Sequence, residues 1–166
     1  LLDDQSIGLE GRVASGDHQS LKVWLRLLSC STQIENEIRK RLRADFGMTL
    51  ARFDYLAQLH RHAGGLRMNV LSRYLMVTGG NVTGLTDELE KEGLVDRVPE
   101  AADRRSLRVV LTRKGRRMFE KIASVHEAWV VEMFAGLAAP QQAQLLDLLG
   151  RLRVDLTASQ DADAGG

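Results

Sequence analysis

The sequence is poor in the residues that crosslink or kink a small protein. Among its 166 residues there is one cysteine, Cys30, and there are two prolines, Pro99 and Pro140. A single cysteine cannot form a disulfide within the chain, which excludes the disulfide framework of small secreted domains. Because proline is confined to two positions, long helices can run uninterrupted through most of the chain.

Several signatures of membrane proteins and enzymes are also missing. No apolar run approaches the roughly 20 residues that a membrane span needs. The sequence shows no nucleophile elbow, no phosphate-binding glycine loop, no paired carboxylates and no His, Cys and carboxylate cluster at metal-ligand spacing. We therefore expect a globular cytoplasmic protein that is not an enzyme, needs no cofactor or metal, and does not associate with a membrane.

The chain does have an uneven distribution of charge. Its formal net charge is only +1. Between Asp103 and Arg117, however, seven residues are Arg or Lys and one is Asp. A basic block on an otherwise balanced chain is typical of a surface that binds a polyanion, and the alternative is a solvated basic face.

The spacing of apolar residues predicts a mainly helical chain with one β-hairpin. Capping residues and glycines then set the helix ends. The chain is predicted to begin with a flexible arm (1–19) and a long helix (20–46) that Gly47 ends. Three further helices follow: one that Thr49 caps and Gly64-Gly65 end, one that starts at Leu66 or Met68, and one at 78–92. After strands at 94–98 and 107–111 come a helix from the cap Thr112 to about Leu137, a helix that Pro140 opens, and a disordered tail (158–166).

The stretch from Val70 to Thr112 has the order helix, turn, helix and hairpin, which is that of a winged helix–turn–helix domain. The first turn of its second helix is small and polar, so backbone amides and the positive helix end can approach phosphate closely. The acidic residues of this helix lie toward its C-terminus, where they would repel DNA. We therefore expect only the N-terminal end to enter the major groove, held from behind by Val82, Leu85 and Leu89.

The hairpin tip carries Asp103-Arg104-Arg105. An arginine at such a tip can enter a narrow minor groove, and a neighbouring aspartate can orient its guanidinium. The alternative is an ordinary polar turn with a surface ion pair that contributes little. The preceding helix–turn–helix pattern and the Arg-rich helix start that follows favour the DNA-binding interpretation.

Together, these segments resemble the DNA-binding core of the MarR family. They are Leu71 to Leu75, Asn81 to Leu85, Leu89 to Arg97, Asp103 to Ser106 and Leu111 to Gly115. The resemblance covers roughly residues 20–157 and implies a mainly α fold with a small β-wing, with a winged core at 49–112 and dimerisation helices at 20–46 and 112–157.

The resemblance also implies a function. It implies a homodimer that binds double-stranded DNA at a pseudo-palindromic operator and usually acts as a repressor that a small-molecule effector releases. Many members carry a basic residue where this chain has Gly84, so one DNA contact expected of the family is missing. By position, the DNA-binding residues are Arg73, Thr78, Gly79, Gly80, Asn81, Thr83, Asp103, Arg104 and Arg105.

A second resemblance concerns the effector. The stretches from Trp24 to Leu28, Ile34-Glu35 and from Arg52 to Asp54 look like the subgroup that controls aromatic-acid breakdown, which implies an aromatic acid or its coenzyme A thioester as effector. The alternative is a set of core aromatics and surface cations with no pocket between them. The candidate effector-binding residues are Trp24, Leu28, Phe53, Leu56 and Trp129 as an apolar wall, and Arg26, Arg39, Arg43, His60 and Arg61 for an anionic group.

Two other functions are compatible with parts of the sequence. A winged helix can bind a protein instead of DNA, but such a wing would not need the basic block. A redox sensor could use Cys30, which requires a solvent-accessible thiolate with a lowered pKa. Because Arg26 is the only cation within one turn and cysteine is commonly buried, we expect Cys30 to pack in the core.

Overall fold

The computed structural model describes residues 19–75, 79–100 and 106–164. Within these ranges the chain forms six helices and three short strands, as the sequence predicts apart from one strand. The elements are α1 (Gln19–Phe46), α2 (Leu50–Arg61), β1 (Leu66–Arg67), α3 (Met68–Tyr74), α4 (Gly79–Lys91), β2 (Val95–Pro99), β3 (Leu107–Leu111), α5 (Arg113–Met133) and α6 (Ala139–Ala164).

The elements fall into two compact units, residues 1–126 and 127–166. The first unit contains α1 to β3 and most of α5, and the second contains the end of α5 and α6. In the part of the chain that the structure describes, no helix is both long enough and apolar enough to cross a membrane.

The predicted caps set the helix ends. The Thr49 hydroxyl accepts a hydrogen bond from the Arg52 amide and caps α2, and the Thr112 hydroxyl accepts one from the Gly115 amide and caps α5. Gly47 and Gly93, which follow α1 and α4, have φ values of 60° and 71°. Glycine adopts this left-handed conformation without steric cost, which explains why both helices stop there.

The sheet contains a strand that the sequence analysis missed. The three strands are antiparallel in the order β1-β3-β2, and Leu66 pairs with Val109 while Val95 pairs with Leu111. The sequence predicts that Leu66 can begin the third helix, but residues 66–67 instead pair with β3, and α3 begins at Met68. A two-residue strand is too short to show an alternating pattern, so only its partner reveals it.

The core of the first unit joins the helix–turn–helix to the wing. The apolar faces of α2 and α4 point inward, as does Leu71 of α3, and they meet the buried residues of β2, β3 and α5, whereas Tyr74 of α3 is exposed. The fully buried side chains of this unit include Leu42, Met48, Tyr55, Leu56, Leu59, Leu71, Val82, Leu89, Leu94, Val95, Val109 and Ile122.

Two predicted boundaries near the C-terminus are wrong. Helix α5 ends at Met133 rather than near Leu137, because residues 134–137 form turns around Gly136. Helix α6 continues to Ala164, whereas the sequence analysis expects disorder over 158–166. The polar composition of residues 158–166 indicates disorder, but these residues contain no glycine or proline before Gly165 that would stop a helix.

Candidate nucleic-acid interface

The N-terminal end of α4 is the best-formed candidate for binding DNA. The helix begins at Gly79 and has no acidic residue in its first turn. Asn81 and Thr83 are exposed near this end, and Arg73 is exposed in the last turn of α3. A helix N-terminus carries about half a positive charge, which favours phosphate. Of the other predicted DNA-binding residues, Gly80 lies in the first turn of α4, and Thr78, Asp103, Arg104 and Arg105 lie outside the described residues.

The inner face of α4 holds that end in place. Val82 and Leu89 are buried and Leu85 is half-buried, which confirms the predicted packing face. Thr86 lies in the same row and is also fully buried, although the sequence analysis passed over it. The spacing 82, 86, 89 is that of one helix face, so the position was detectable despite its polar side chain.

A buried hydrogen bond joins α2 to α4 through Thr86. The Thr86 hydroxyl donates to the Val82 carbonyl at 2.7 Å and therefore accepts from the Tyr55 hydroxyl at 2.5 Å. Burial raises the pKa of Tyr55 to about 12, so the phenol keeps its proton at neutral pH. The contact joins α4 to α2, because loss of the Thr86 hydroxyl would leave the buried Tyr55 hydroxyl without this partner, which costs about 1–3 kcal/mol.

Three of the four acidic residues at the C-terminal end of α4 are paired with cations from other elements. Arg97 on β2 binds the carboxylates of Asp87 and Glu90, and Arg52 on α2 binds Glu92. The sequence analysis expects these acidic residues to repel DNA. The ion pairs reduce that repulsion and, in addition, tie the C-terminal end of α4 to β2 and α2.

The basic block has more than one role. Lys114 donates to the Glu92 carbonyl at 2.6 Å and so caps the C-terminal end of α4. Arg108 lies beside Glu100, with 2.9 Å between the Arg108 Nε and Glu100 Oε1 atoms. Arg113 and Arg117, by contrast, are exposed on α5. Part of the predicted polyanion surface is therefore used to hold the wing and α4 in place.

An aromatic cluster lies between α2 and α5 in the first unit. The Phe53 ring centroid is 5.5 Å from that of Phe119 and 4.8 Å from that of His126. His60 lies 4.8 Å from Phe119, and its Nε2 atom is 3.3 Å from the Glu120 carboxylate. Burial lowers the pKa of His126, which favours its neutral form.

This cluster contains only two of the predicted effector residues. Phe53 and His60 belong to it, and Phe119 and His126 were missed, although their spacing of seven residues puts both on one face of α5. Leu56 is fully buried in the core, so it packs there and lines no open space. The remaining candidates are Trp24 and Leu28, which are exposed on α1; Arg26, Arg39, Arg43 and Arg61, which are also exposed; and Trp129, which is buried in the second unit.

The surface cations on α1 follow the ordinary pattern of a solvated helix. Arg39 pairs with Glu35 and Arg41 pairs with Glu37, each four residues earlier on the same helix. Exposed pairs of this kind contribute little to stability. Arg39 is therefore already paired with a carboxylate of its own helix, while its side chain stays 56% exposed.

Cys30 does not pack in the core. It is exposed on α1, and the expectation that it is buried is wrong. Trp24 and Leu28 on the same half of α1 are also exposed, so residue types that are commonly buried lie at its surface. No group of three or more His, Cys, Asp or Glu residues could hold a metal ion within the described residues.

Comparison with known proteins gives consistent matches. A family model described as MarR family matches residues 46–106. The transcriptional activatory protein BadR of Rhodopseudomonas palustris is 35% identical over 104 residues, which are 61% of this chain and 59% of BadR. An HTH-type transcriptional repressor of Mycobacterium tuberculosis is 32% identical over 109 residues, which are 66% of this chain and 78% of the repressor. The chain thus spans less than two thirds of the length of BadR but 78% of the length of the repressor.

Solved structures match over a larger part of the chain. AbsC, a MarR family transcriptional regulator from Streptomyces coelicolor, superposes with a TM-score of 0.72 at 24% identity over 88% of this chain and 99% of AbsC. CouR from Rhodococcus jostii, solved with p-coumaroyl-CoA, gives 0.69 at 23% identity over 82% of this chain and 95% of CouR. At these identities, both structures establish the fold alone.

Proposed function

The chain belongs to the MarR family of transcriptional regulators, and we propose that it is a sequence-specific DNA-binding regulator that a small molecule controls. The observation that carries this proposal is the division of charge along α4. Its N-terminal end is free of acidic side chains and presents Asn81 and Thr83, while Asp87, Glu90 and Glu92 are paired with arginines of other elements.

We further propose that the working form is a homodimer built from the terminal helices. In the single chain, α1 leaves Trp24 54% exposed, and α6 leaves Leu146 75% exposed. Soluble monomers rarely expose large contiguous apolar patches, so a second copy of the chain is the expected cover. Other exposed apolar residues of these helices are Leu21, Val23 and Leu28 on α1 and Leu145, Leu148, Leu149, Leu152, Val154 and Leu156 on α6.

Sedimentation velocity at micromolar concentration is expected to show twice the chain mass of 18.5 kDa. The measurement needs a reducing agent, because the exposed thiol of Cys30 could otherwise join two chains covalently. Cys30→Ser is the matched control and should sediment as the parent does. A single species at the monomer mass would refute the dimer.

In vitro selection of fragments from the source genome tests DNA binding directly. The parent protein should enrich a small set of pseudo-palindromic sites, and Asn81→Ala at the exposed end of α4 should weaken binding to them. Enrichment of no sequence over the starting library would refute the proposed function. We propose repression as the direction of control, which transcription in vitro from an enriched site would test.

The effector that we propose is an aromatic acid or its coenzyme A thioester. Two observations support it. The cluster of Phe53, His60, Phe119 and His126 offers ring faces beside imidazole groups, and CouR, which shares the fold, was solved with p-coumaroyl-CoA. We place the aromatic group of the effector beside this cluster, with the exposed Arg61 available for its anionic part and with His60 able to pair with it in place of Glu120.

Helix α2 provides a route by which such an effector can alter DNA binding. Phe53 belongs to the aromatic cluster, whereas its neighbours Arg52 and Tyr55 contact Glu92 and Thr86 on α4. A ligand regulates only by binding the DNA-competent and DNA-incompetent states with different affinity. A shift of α2 relative to α5 would change both of these contacts, and with them the position of α4, the helix that we propose enters the major groove.

Titration of the protein bound to a fluorescent operator should show release of DNA by benzoate, p-coumarate or one of their coenzyme A thioesters. Fluorescence anisotropy would follow the release. His60→Gln should keep DNA affinity but raise the effector concentration at half-release several-fold, whereas Lys40→Gln on the solvated face of α1 should respond as the parent does. If no compound releases DNA at millimolar concentration, this class of effector is excluded while the DNA-binding proposal stands.

A further inference from the structure

Glu100 lies at the neck of the wing, where β2 ends and the tip segment begins. Its backbone amide donates to the Ser106 carbonyl at 2.8 Å, directly beyond the last ladder pair, Pro99 and Leu107. The hairpin is therefore closed as far as Glu100 and Ser106. Between these two positions the sequence contains Arg104 and Arg105, the arginines that the family resemblance assigns to DNA.

The Glu100 side chain points from the neck toward Arg67 of β1 and Arg108 of β3. Its carboxylate accepts hydrogen bonds from Arg67 Nε, with distances of 3.1 and 3.0 Å to its two oxygens, and from Arg67 Nη2. Arg108 Nε lies 2.9 Å from one oxygen, and the side chain is only 13% exposed. The hydrogen bonds from Arg67 lower the pKa of Glu100, so it is ionised at neutral pH.

The contacts of Glu100 with Arg67 and Arg108, here called the clamp, link the end of β2 to both other strands of the sheet. Arg67 belongs to β1, Arg108 belongs to β3, and Arg108 also donates from Nη1 to the Gly64 carbonyl at 3.2 Å. One carboxylate thus joins the neck of the hairpin to both other strands and, through Arg108, to the turn after α2. A carboxylate in this hairpin weakens the attraction for DNA through its charge, whereas its hydrogen bonds to Arg67 fix the end of β2.

We propose that Glu100 is a positioning residue for DNA recognition, which fixes the end of β2 through Arg67 and Arg108 and thereby sets how the hairpin lies on DNA. This inference rests on the proposed DNA binding. It predicts an effect on sequence discrimination that differs from the effect of charge alone. Phosphate attraction is independent of sequence, whereas the placement of groups in a groove determines specificity.

Asp96 offers a matched control for the charge. It is an exposed residue of β2 in the same hairpin, and Asp96→Asn removes one negative charge without touching the clamp. Binding of the parent, Glu100→Gln and Asp96→Asn should be measured on a duplex selected by the parent and on a random-sequence duplex. The temperature must be one at which thermal melts show all three proteins folded.

Both variants should bind the random duplex slightly more tightly than the parent. Glu100→Gln should lower the ratio of selected to random affinity about tenfold, whereas Asp96→Asn should keep it within about twofold. Equal ratios in the two variants would show that Glu100 acts by charge alone and would overturn the inference. Failure of the parent itself to discriminate the two duplexes would instead refute the proposed function.

Glu100→Asp provides a second variant if Glu100→Gln does not fold. It keeps the charge but shortens the side chain by one methylene, so it cannot reach both guanidinium groups in their present positions. The affinity ratio should then fall several-fold at unchanged net charge. A ratio equal to that of the parent would overturn the positioning role.

Discussion

Gly115→Ala is expected to destabilise the protein by about 3 kcal/mol or more, measured by chemical denaturation. A Cβ atom at this position would lie 1.9 Å from the Leu94 carbonyl oxygen and 2.9 Å from its carbonyl carbon. Both are backbone atoms, which cannot rotate away as a side chain can. Leu94 is buried and accepts the Thr112 amide at 3.1 Å, so α5 must move away from β2 to make room.

Gly84→Ala is the matched control for this substitution. Gly84 also lies in a helix, but it is exposed, and a Cβ atom there would have nothing within 4 Å. Alanine should therefore stabilise the protein by about 0.5–1 kcal/mol through its higher helix propensity. The unfolding midpoint should fall for Gly115→Ala and rise for Gly84→Ala. Equal shifts in the two variants would contradict the close approach of α5 to Leu94.

The predictable part of the fold was encoded in short-range patterns. Thr49 and Thr112 were recognisable as caps because a hydroxyl directly precedes an apolar-periodic helix. Gly47 and Gly93 were recognisable as helix ends because each follows the last apolar residue of a helix face. These signals lie within a few residues of the boundary that they set, so one sequence suffices to read them.

The contacts that hold the candidate interface depend on residues far apart in the chain. Tyr55 and Thr86 are 31 positions apart, and Arg67 and Glu100 are 33 apart. A polar residue on an apolar helix face, or a lone charge in a turn, gives no sign of its partner. Local spacing shows that Thr86 is buried, but only the packing of α2 against α4 shows what satisfies its hydroxyl.

The effector site is the least predictable part, because the resemblance to a family gives a region and the residue types in it but not their contacts. It implies an apolar wall from α1, α2 and α5 with cations nearby for an anionic group. In the structure, Trp24 is exposed, Leu56 is buried in the core, and Arg39 is paired on its own helix. Apolar periodicity does not distinguish a face that packs within the chain from one that a second chain would cover.

Operator binding is expected to weaken by about 10³–10⁵ between about 50 and 200 mM salt, the range for roughly 6–10 phosphate contacts. Two subunits would supply these contacts from two α4 ends, two wings and the exposed Arg113 and Arg117 at the start of each α5. A slope of log affinity against log salt below half of that expected for six contacts would contradict an interface of this size.

Arg105→Ala should lower operator affinity by about 1–3 kcal/mol for each wing that reaches the DNA. Glu100 and Ser106, which flank the segment containing Arg105 in the chain, are joined by a backbone hydrogen bond at the end of the hairpin, so we expect loss of one arginine to remove a defined contact. Asp103→Ala should have a smaller effect, because the arginine remains and only its orientation is lost. Lys40→Ala, which removes an exposed cation on α1, should bind as the parent does. If Arg105→Ala also binds as the parent does, the wing does not enter the minor groove, and the ends of the two α4 helices must account for recognition.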